Sequence, residues 1–157
     1  MKRMVLGMVM AASVWATVGG GAESETGSQA DPVGTLWLTD YDQAIKVAAE
    51  KKQPVLVDFT GSDWCGWCIR LDNEVFSQEA FLAYAKDNLV LLKLDFPNRK
   101  KLPKEEAARN QALAEKFGVQ GFPTIVLLGA DGQEKARTGY KPGGAETYVE
   151  HLKGLLD

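Results

Sequence analysis

Three short and nearly continuous apolar runs do most to limit the folds open to this sequence. They span residues 54–59, 89–94 and 124–128. Runs of this length without polar alternation are typical of strands that are buried on both faces, as in a sheet covered by helices. An Asp-Gly dipeptide then marks a hairpin turn into a last strand over 134–138. The pattern predicts an α/β domain with a central mixed sheet and helices on both faces.

Helices are expected before, between and after these strands. Thr39 is predicted to cap the first helix, which Pro54 stops, and Ser77 is predicted to cap a helix that runs through Lys86. The remaining helices are expected over residues 65–71, 105–117 and 144–156.

The first 22 residues have the layout of a secretory signal peptide. Lys2 and Arg3 precede an apolar run of about 15 residues, and small residues follow it through Ala22. The alternative is a retained membrane anchor, but a spanning helix needs about 20 apolar residues. Either interpretation places the folded part outside the cytoplasm, so we expect a periplasmic or secreted protein.

The rest of the chain divides into a tether and one domain. Residues 23–34 are rich in Ser, Gly, Glu and Asp, which predicts a flexible tether. Residues 35–157 have a length that suits a single hydrophobic core. We expect a monomer that contacts the membrane only if the leader is uncleaved.

Charge and ligand content argue against two functional classes. The 18 basic and 21 acidic side chains give a net charge of −3, which argues against a nucleic-acid partner. Only Cys65, Cys68 and His151 are soft metal ligands, too few for the four ligands of a structural zinc site. We therefore expect no metal and no cofactor. His151 lies far along the chain from the cysteines and is assigned no role.

Cys65 and Cys68 are separated by two residues at a predicted helix start. The helix dipole and free backbone N–H groups there lower the pKa of a thiol from about 8.5 to between roughly 3.5 and 7.5. We expect Cys65 to attack a disulfide and Cys68 to resolve the mixed disulfide that results. Two alternatives are a permanent disulfide, which closes too small a loop to restrain the unfolded chain much, and half of a zinc site. A redox pair is favoured over both.

Four segments together resemble the thioredoxin superfamily. They are Val-Leu-Val-Asp-Phe at 55–59, Trp-Cys-Gly-Trp-Cys at 64–68, Gly-Phe-Pro-Thr at 121–124 and Thr-Gly-Tyr at 138–140. Residues 59–68, 136–140 and 146–147 are also similar to the C-terminal periplasmic domain of the disulfide reductase DsbD. The resemblance implies a thioredoxin fold and an exported thiol-disulfide oxidoreductase. It would reduce or isomerise protein disulfides and be recharged by a separate redox partner.

The resemblance also implies a substrate surface around the cysteines. Pro123 is expected to be a cis-proline against the pair, leaving the backbone of Phe122 free to bind an extended substrate segment. Without the family match, Pro123 would only mark the start of a strand. Trp64, Gly66 and Trp67 complete the expected surface.

Asp58 is the only carboxyl group in the first apolar run. Burial raises the pKa of such a group, which would suit it to accept a proton from Cys68 as a general base. The alternative is an ion pair with Lys93, which lies in the next strand at the position of a family lysine. The two interpretations are compatible, and Asp58 and Lys93 are both candidate catalytic residues.

Trp67 replaces the proline or histidine that familiar relatives carry between the cysteines. Without an imidazolium in the motif, the pair is expected to have a reducing or intermediate potential. Two other hypotheses stay open. One is an oxidase that donates its disulfide to unfolded exported chains, and the other is a binding module whose cysteines are incidental.

Overall fold

The computed structural model describes residues 36–157 and contains one five-stranded sheet. The strands are β1 (Trp37–Leu38), β2 (Val55–Thr60), β3 (Val90–Asp95), β4 (Thr124–Leu128) and β5 (Glu134–Thr138). Their order across the sheet is β1-β3-β2-β4-β5. β1 and β2 lie parallel to β3, whereas β4 is antiparallel to β2 and β5 is antiparallel to β4. The predicted mixed sheet is confirmed.

Five α-helices and one π-helical turn surround this sheet. They are α1 (Tyr41–Lys51), α2 (Gly66–Leu71), the π-turn (Asp72–Phe76), α3 (Glu79–Asn88), α4 (Lys104–Lys116) and α5 (Gly144–Leu156). Within residues 36–157, none of the helices has the length and apolar character needed to cross a membrane. The predicted signal peptide (1–22) and tether (23–34) lie outside the described residues, as does the start of the predicted domain at residue 35.

The sheet separates two apolar layers. Successive side chains of a strand point to opposite faces, so a strand that is covered on both faces is apolar at nearly every position. Leu56 of β2 packs with α2, the π-turn, α3 and α5 on one face. Val57 packs with α1 and α4 on the other face. All six residues of β2 are buried, including the polar side chains of Asp58 and Thr60.

Both predicted N-caps are displaced by one residue. α1 is capped by Asp40, whose carboxylate accepts the backbone N–H of Gln43 at 2.8 Å, and not by Thr39. α3 begins after Gln78, and the Ser77 hydroxyl donates instead to the Asn73 carbonyl at 3.3 Å. The reason for the second error is that Ser77 is the C-cap residue of the π-turn, which has no recognisable signal in the sequence and delays the next helix.

The N-cap of α1 can be tested with two neighbouring substitutions, one at Asp40 and one at Thr39. Replacing Asp40 with Ala removes the acceptor for an otherwise unpaired N–H and is expected to lower the free energy of unfolding by about 1 kcal/mol. Thr39→Ala changes an exposed side chain outside the helix, so we expect a change of less than about 0.5 kcal/mol. Urea denaturation of both variants measures the difference. Equal losses would contradict the observed capping.

Candidate active site

Cys65 and Cys68 form a disulfide at the start of α2. Their Cα atoms are 5.2 Å apart. Cys65 is the N-cap residue, and its sulfur accepts the backbone N–H of Cys68 at 3.3 Å. The same N–H is placed to stabilise negative charge on Cys65 when the bridge is open, because a free donor at a helix start favours a thiolate.

Cys65 lies against the turn that precedes β4. Its Sγ is 3.6 Å from the carbonyl oxygen of Phe122. The peptide bond between Phe122 and Pro123 is cis, as the family resemblance implies. Beside this turn, a Cβ on Gly139 would lie only 3.3 Å from the Pro123 carbonyl oxygen. The glycine of the Thr-Gly-Tyr segment therefore allows the chain directly after β5 to approach the turn closely.

Cys68 faces the interior. Its Sγ lies 3.5 Å from the backbone nitrogen of Gly61, which donates to it. Behind it is a small cavity of about 110 Å³, bordered by polar side chains of Thr60, Asp72 and Lys93 among others. That volume is sufficient for a few water molecules, which need polar partners of this kind.

Asp58 is buried in β2 on the face that α2 covers. Alternation along the strand places it on the same face as Leu56, which packs with α2. Burial raises the pKa of Asp58 from an ordinary value of about 3.9 to about 7, although the positive charge of Lys93 opposes this shift. Within residues 36–157, its Oδ1 atom has no hydrogen-bond partner.

Lys93 is the register partner of Asp58 in β3, but its ammonium group binds elsewhere. Nζ donates to Oδ1 of Asp72 at 3.1 Å and lies 5.0 Å from the ring centroid of Trp37. No direct ion pair between Asp58 and Lys93 occurs within the described residues, which differs from the alternative expected from the sequence. The long lysine side chain reaches the more exposed Asp72, where ion pairing costs less desolvation than at a buried carboxylate.

Exposed aromatic side chains flank the cysteines. Trp64 is 47% exposed and Trp67 is 56% exposed, whereas large apolar side chains are otherwise mostly buried in the described part of the chain. A Cβ on Gly66, between Cys65 and Trp67, would meet no atom within 4 Å. Trp64, Gly66 and Trp67, which the sequence predicts to contact the substrate, are therefore accessible next to the disulfide. Clustered exposed apolar groups of this kind mark interaction surfaces.

Trp64 and Trp67 are each held by specific contacts. The indole N–H of Trp64 donates to the Phe96 carbonyl at 2.7 Å. The Trp67 ring lies 5.0 Å from the Tyr140 ring, and the Arg70 guanidinium lies within 6 Å of both ring centroids. Glu74 joins this group because it accepts from Arg70 at 2.6 Å and from the Tyr140 hydroxyl at 2.7 Å.

Sequence reasoning missed Arg70, Asp72 and Glu74. An i,i+4 pair of opposite charge is visible between Arg70 and Glu74, and Asp72 follows Cys68 by one helical turn. These spacings are common on exposed helices, so they carry no specific signal for a site. Within residues 36–157, no group of three or more Cys, His, Asp or Glu side chains could hold a metal ion.

Comparison with known proteins identifies the family. A family model described as a thioredoxin-like domain matches residues 41–153. The chain belongs to the thioredoxin-like family. It is 34% identical over 137 residues to the disulfide bond reductase DsbH of Chlamydia pneumoniae, covering 86% of this chain and 82% of that protein.

Two further comparisons agree with this thioredoxin-like assignment. A solved structure of a DsbH oxidoreductase has a TM-score of 0.73 at 35% identity and covers 76% of this chain and 83% of that one. The thiol:disulfide interchange protein DsbD of Pseudoalteromonas atlantica is 27% identical over 122 residues, which are 76% of this chain but only 19% of DsbD. With the bridged cysteine pair, these relatives show that the chain is a thiol-disulfide oxidoreductase.

The environment of Asp58 predicts an unusual titration. In the oxidised protein the bridged cysteines do not titrate, so the Asp58 carboxyl carbon can be followed by NMR without interference from them. We expect a midpoint near 7. A midpoint near 4, the value of a solvated aspartate, would contradict the proposed desolvation.

The same shift predicts a pH dependence of stability. The pKa of Asp58 is about 7 in the native state and about 3.9 in the unfolded state. At a pH between these two values, the native state therefore binds more protons than the unfolded state. The free energy of unfolding should therefore fall as pH rises from about 4 to about 7, and then stay level. The matched control is the oxidised Asp58→Asn variant, whose side chain at position 58 cannot ionise. Its free energy of unfolding should lack the fall that is due to Asp58. Urea denaturation at several pH values measures both proteins.

Proposed function

We propose that this protein is an exported reductase or isomerase of protein disulfides. The observation that carries the proposal is the arrangement of the two sulfurs. Cys65 lies beside the Phe122 carbonyl and between exposed tryptophans, whereas Cys68 lies deeper, under the loop that precedes α2. A substrate sulfur can approach Cys65 along this surface, and Cys68 is then within bonding reach of Cys65 for the second step.

The proposed reaction exchanges one disulfide for another. The Cys65 thiolate attacks one sulfur of the substrate disulfide, forms a mixed disulfide and releases the first substrate thiolate. The Cys68 thiolate then attacks Cys65 Sγ, which forms the Cys65–Cys68 bridge and releases the second substrate thiolate. Two electrons pass from the protein to the substrate, so a separate dithiol partner must reduce the bridge again.

We propose that Asp58 accepts the proton of Cys68. A group with a pKa near 7 is suited to take a proton at neutral pH, and Asp58 lies on the face of β2 that α2 covers. Thr60, Lys93 and Cys68 border one small polar cavity, which offers a route for the proton to leave. Lys93 would assist by stabilising the carboxylate form of Asp58 through its charge.

We propose that an extended substrate segment binds across the backbone of Phe122, next to Pro123. Strand addition of this kind takes affinity from main-chain hydrogen bonds and therefore tolerates many sequences. Trp64, Gly66 and Trp67 would contact the substrate side chains beside the cysteine. The open surface at Gly66 leaves room for the substrate backbone to approach Cys65.

The reducing direction and the export are also part of the proposal. DsbH, which covers most of this chain, is described as a disulfide bond reductase. No imidazolium is available between the cysteines to stabilise the thiolate further, because Trp67 occupies that position. Residues 1–22, with two basic residues before an apolar run, support export to a compartment where disulfides persist.

The reduction potential tests the direction of electron flow. Equilibrium with glutathione, followed by trapping of free thiols, is expected to give a potential near the reducing end, about −270 mV. A potential near −120 mV would instead indicate a disulfide-donating oxidase. Cys65→Ala and Cys68→Ala serve as controls, since neither variant can form the internal bridge.

Trapping tests the substrate class. Cys68→Ala leaves the attacking sulfur but removes the resolving one, so mixed disulfides between Cys65 and protein substrates should accumulate in the exporting cell. They should disappear on treatment with dithiothreitol and be absent from the double variant Cys65→Ala, Cys68→Ala. If Cys68→Ala traps no protein, proteins are not the substrates.

A further inference from the structure

A groove beside the redox site combines an apolar floor with basic side chains. It has a volume of about 420 Å³ and lies between the loop after β3 and the start of α4. Phe96, Pro97 and Leu102 contribute apolar surface to it. Three lysines also border it, namely Lys100, Lys101 and Lys104. We call the groove that these three lysines and three apolar residues border the basic groove.

The loop that forms the basic groove is fixed by the residues just before Cys65. The carboxylate of Asp63 accepts the backbone N–H groups of Asn98, Arg99 and Lys100 at 2.8, 2.8 and 3.0 Å. These N–H groups hold the pKa of Asp63 below its ordinary range, so the anchor stays charged at neutral pH. The indole N–H of Trp64 also donates to the Phe96 carbonyl. Together with the Asp63 bonds, this contact fixes the position of the loop relative to the cysteines.

The basic groove is continuous with the surface on which the substrate is proposed to bind. The Phe96 ring lies 5.0 Å from the Phe122 ring, and the Phe122 carbonyl is 3.6 Å from Cys65 Sγ. One extended residue spans about 3.3 Å. Phe96, which borders the basic groove, is therefore in contact with Phe122, so a segment that extends roughly two to four residues from the substrate cysteine is long enough to reach the groove.

Two of the three lysines that border the basic groove are available to a partner. Asp95, its acidic lining residue, already binds Ser62 at 2.6 Å and Lys100 at 3.0 Å. Among the described residues, Lys101 and Lys104 have no carboxylate oxygen within 4.0 Å of their ammonium groups. Ammonium groups at the edge of an apolar floor complement a segment that carries both carboxylates and an apolar side chain.

We propose that the basic groove binds an acidic segment of the protein substrate that lies two to four residues from the reactive cysteine and carries an apolar side chain. The proposal rests on the proposed function. It adds a preference among disulfides, because main-chain pairing at Phe122 does not discriminate between sequences whereas charge complementarity does.

Two matched peptides test this preference. Each carries one cysteine in a mixed disulfide with a neutral thiol, followed after one residue by Asp-Phe-Glu in one peptide and Asn-Phe-Gln in the other. Stopped-flow fluorescence measures the second-order rate constant for their reduction by the dithiol form of the full protein. We expect the acidic peptide to react about tenfold faster at low salt. The advantage should shrink at 0.5 M NaCl because salt screens exposed charges.

A charge-reversal variant locates the effect. Lys101→Glu with Lys104→Glu should abolish the preference for the acidic peptide and leave the rate with the amide peptide unchanged. Lys46→Glu with Lys135→Glu alters net charge by the same amount at exposed positions of α1 and β5 and should retain the preference. The milder pair Lys101→Gln with Lys104→Gln should reduce the preference without reversing it, and circular dichroism checks that each variant folds.

Three outcomes would overturn the proposal. One is equal rates for the two peptides with the unmodified protein, and another is an equal loss of preference in the groove and control variants. The third is a groove variant that keeps the peptide preference but loses binding to phosphatidylglycerol vesicles, which would assign the lysines to a lipid surface. Failure to reduce either peptide would instead refute the proposed function itself, and this inference with it.

Discussion

Hydrogen bonds made by the five residues between β2 and α2, residues 61–65, hold the site together. Gly61 donates its N–H to Cys68 Sγ, and its carbonyl accepts the N–H of Cys65 at 2.9 Å. A Cβ at Gly61 would lie 2.6 Å from the Trp64 ring, so only glycine lets the indole lie against this backbone. Asp63 and Trp64 then bind the loop after β3. The positions of both sulfurs, one tryptophan and the basic groove therefore depend on one short segment.

The central sheet imposes the electrostatics of the site. β2 lies between two apolar layers, and a carboxylate at Asp58 is separated there from solvent. Burial without a direct partner favours the neutral acid, which raises the pKa into the physiological range. A closer Lys93 would oppose this rise, but Asp72 holds its ammonium group at the cavity. The Asp72 side chain from the π-turn thus helps to keep the pKa of Asp58 near 7.

The fold was largely predictable because burial on both faces leaves long apolar runs in the sequence. β1 was not predictable, because a strand of only two residues is too short to show a periodic pattern of apolar side chains. The cysteine pair was recognisable from its spacing, and the raised pKa of Asp58 followed from its apolar neighbours. The contact of Asp63 with Asn98 joins residues 35 positions apart, and nothing distinguishes such an aspartate from a solvated one in the sequence. Contacts of this kind depend on how two loops meet.

The proposed substrate surface is held by specific contacts on both sides of Cys65, and this has a consequence for selectivity. Trp64 is fixed by the Phe96 carbonyl, while Trp67 is packed against Tyr140 and Arg70. A surface that is already ordered loses little conformational entropy when a substrate binds. Main-chain pairing on such a surface accepts many substrates at similar cost, so discrimination must come from groups at its edge. Charged side chains can discriminate between substrates without binding them tightly, because they act mainly on the rate at which protein and substrate encounter each other. A thiol-disulfide oxidoreductase that must release its product quickly gains more from that mechanism than from a deep pocket.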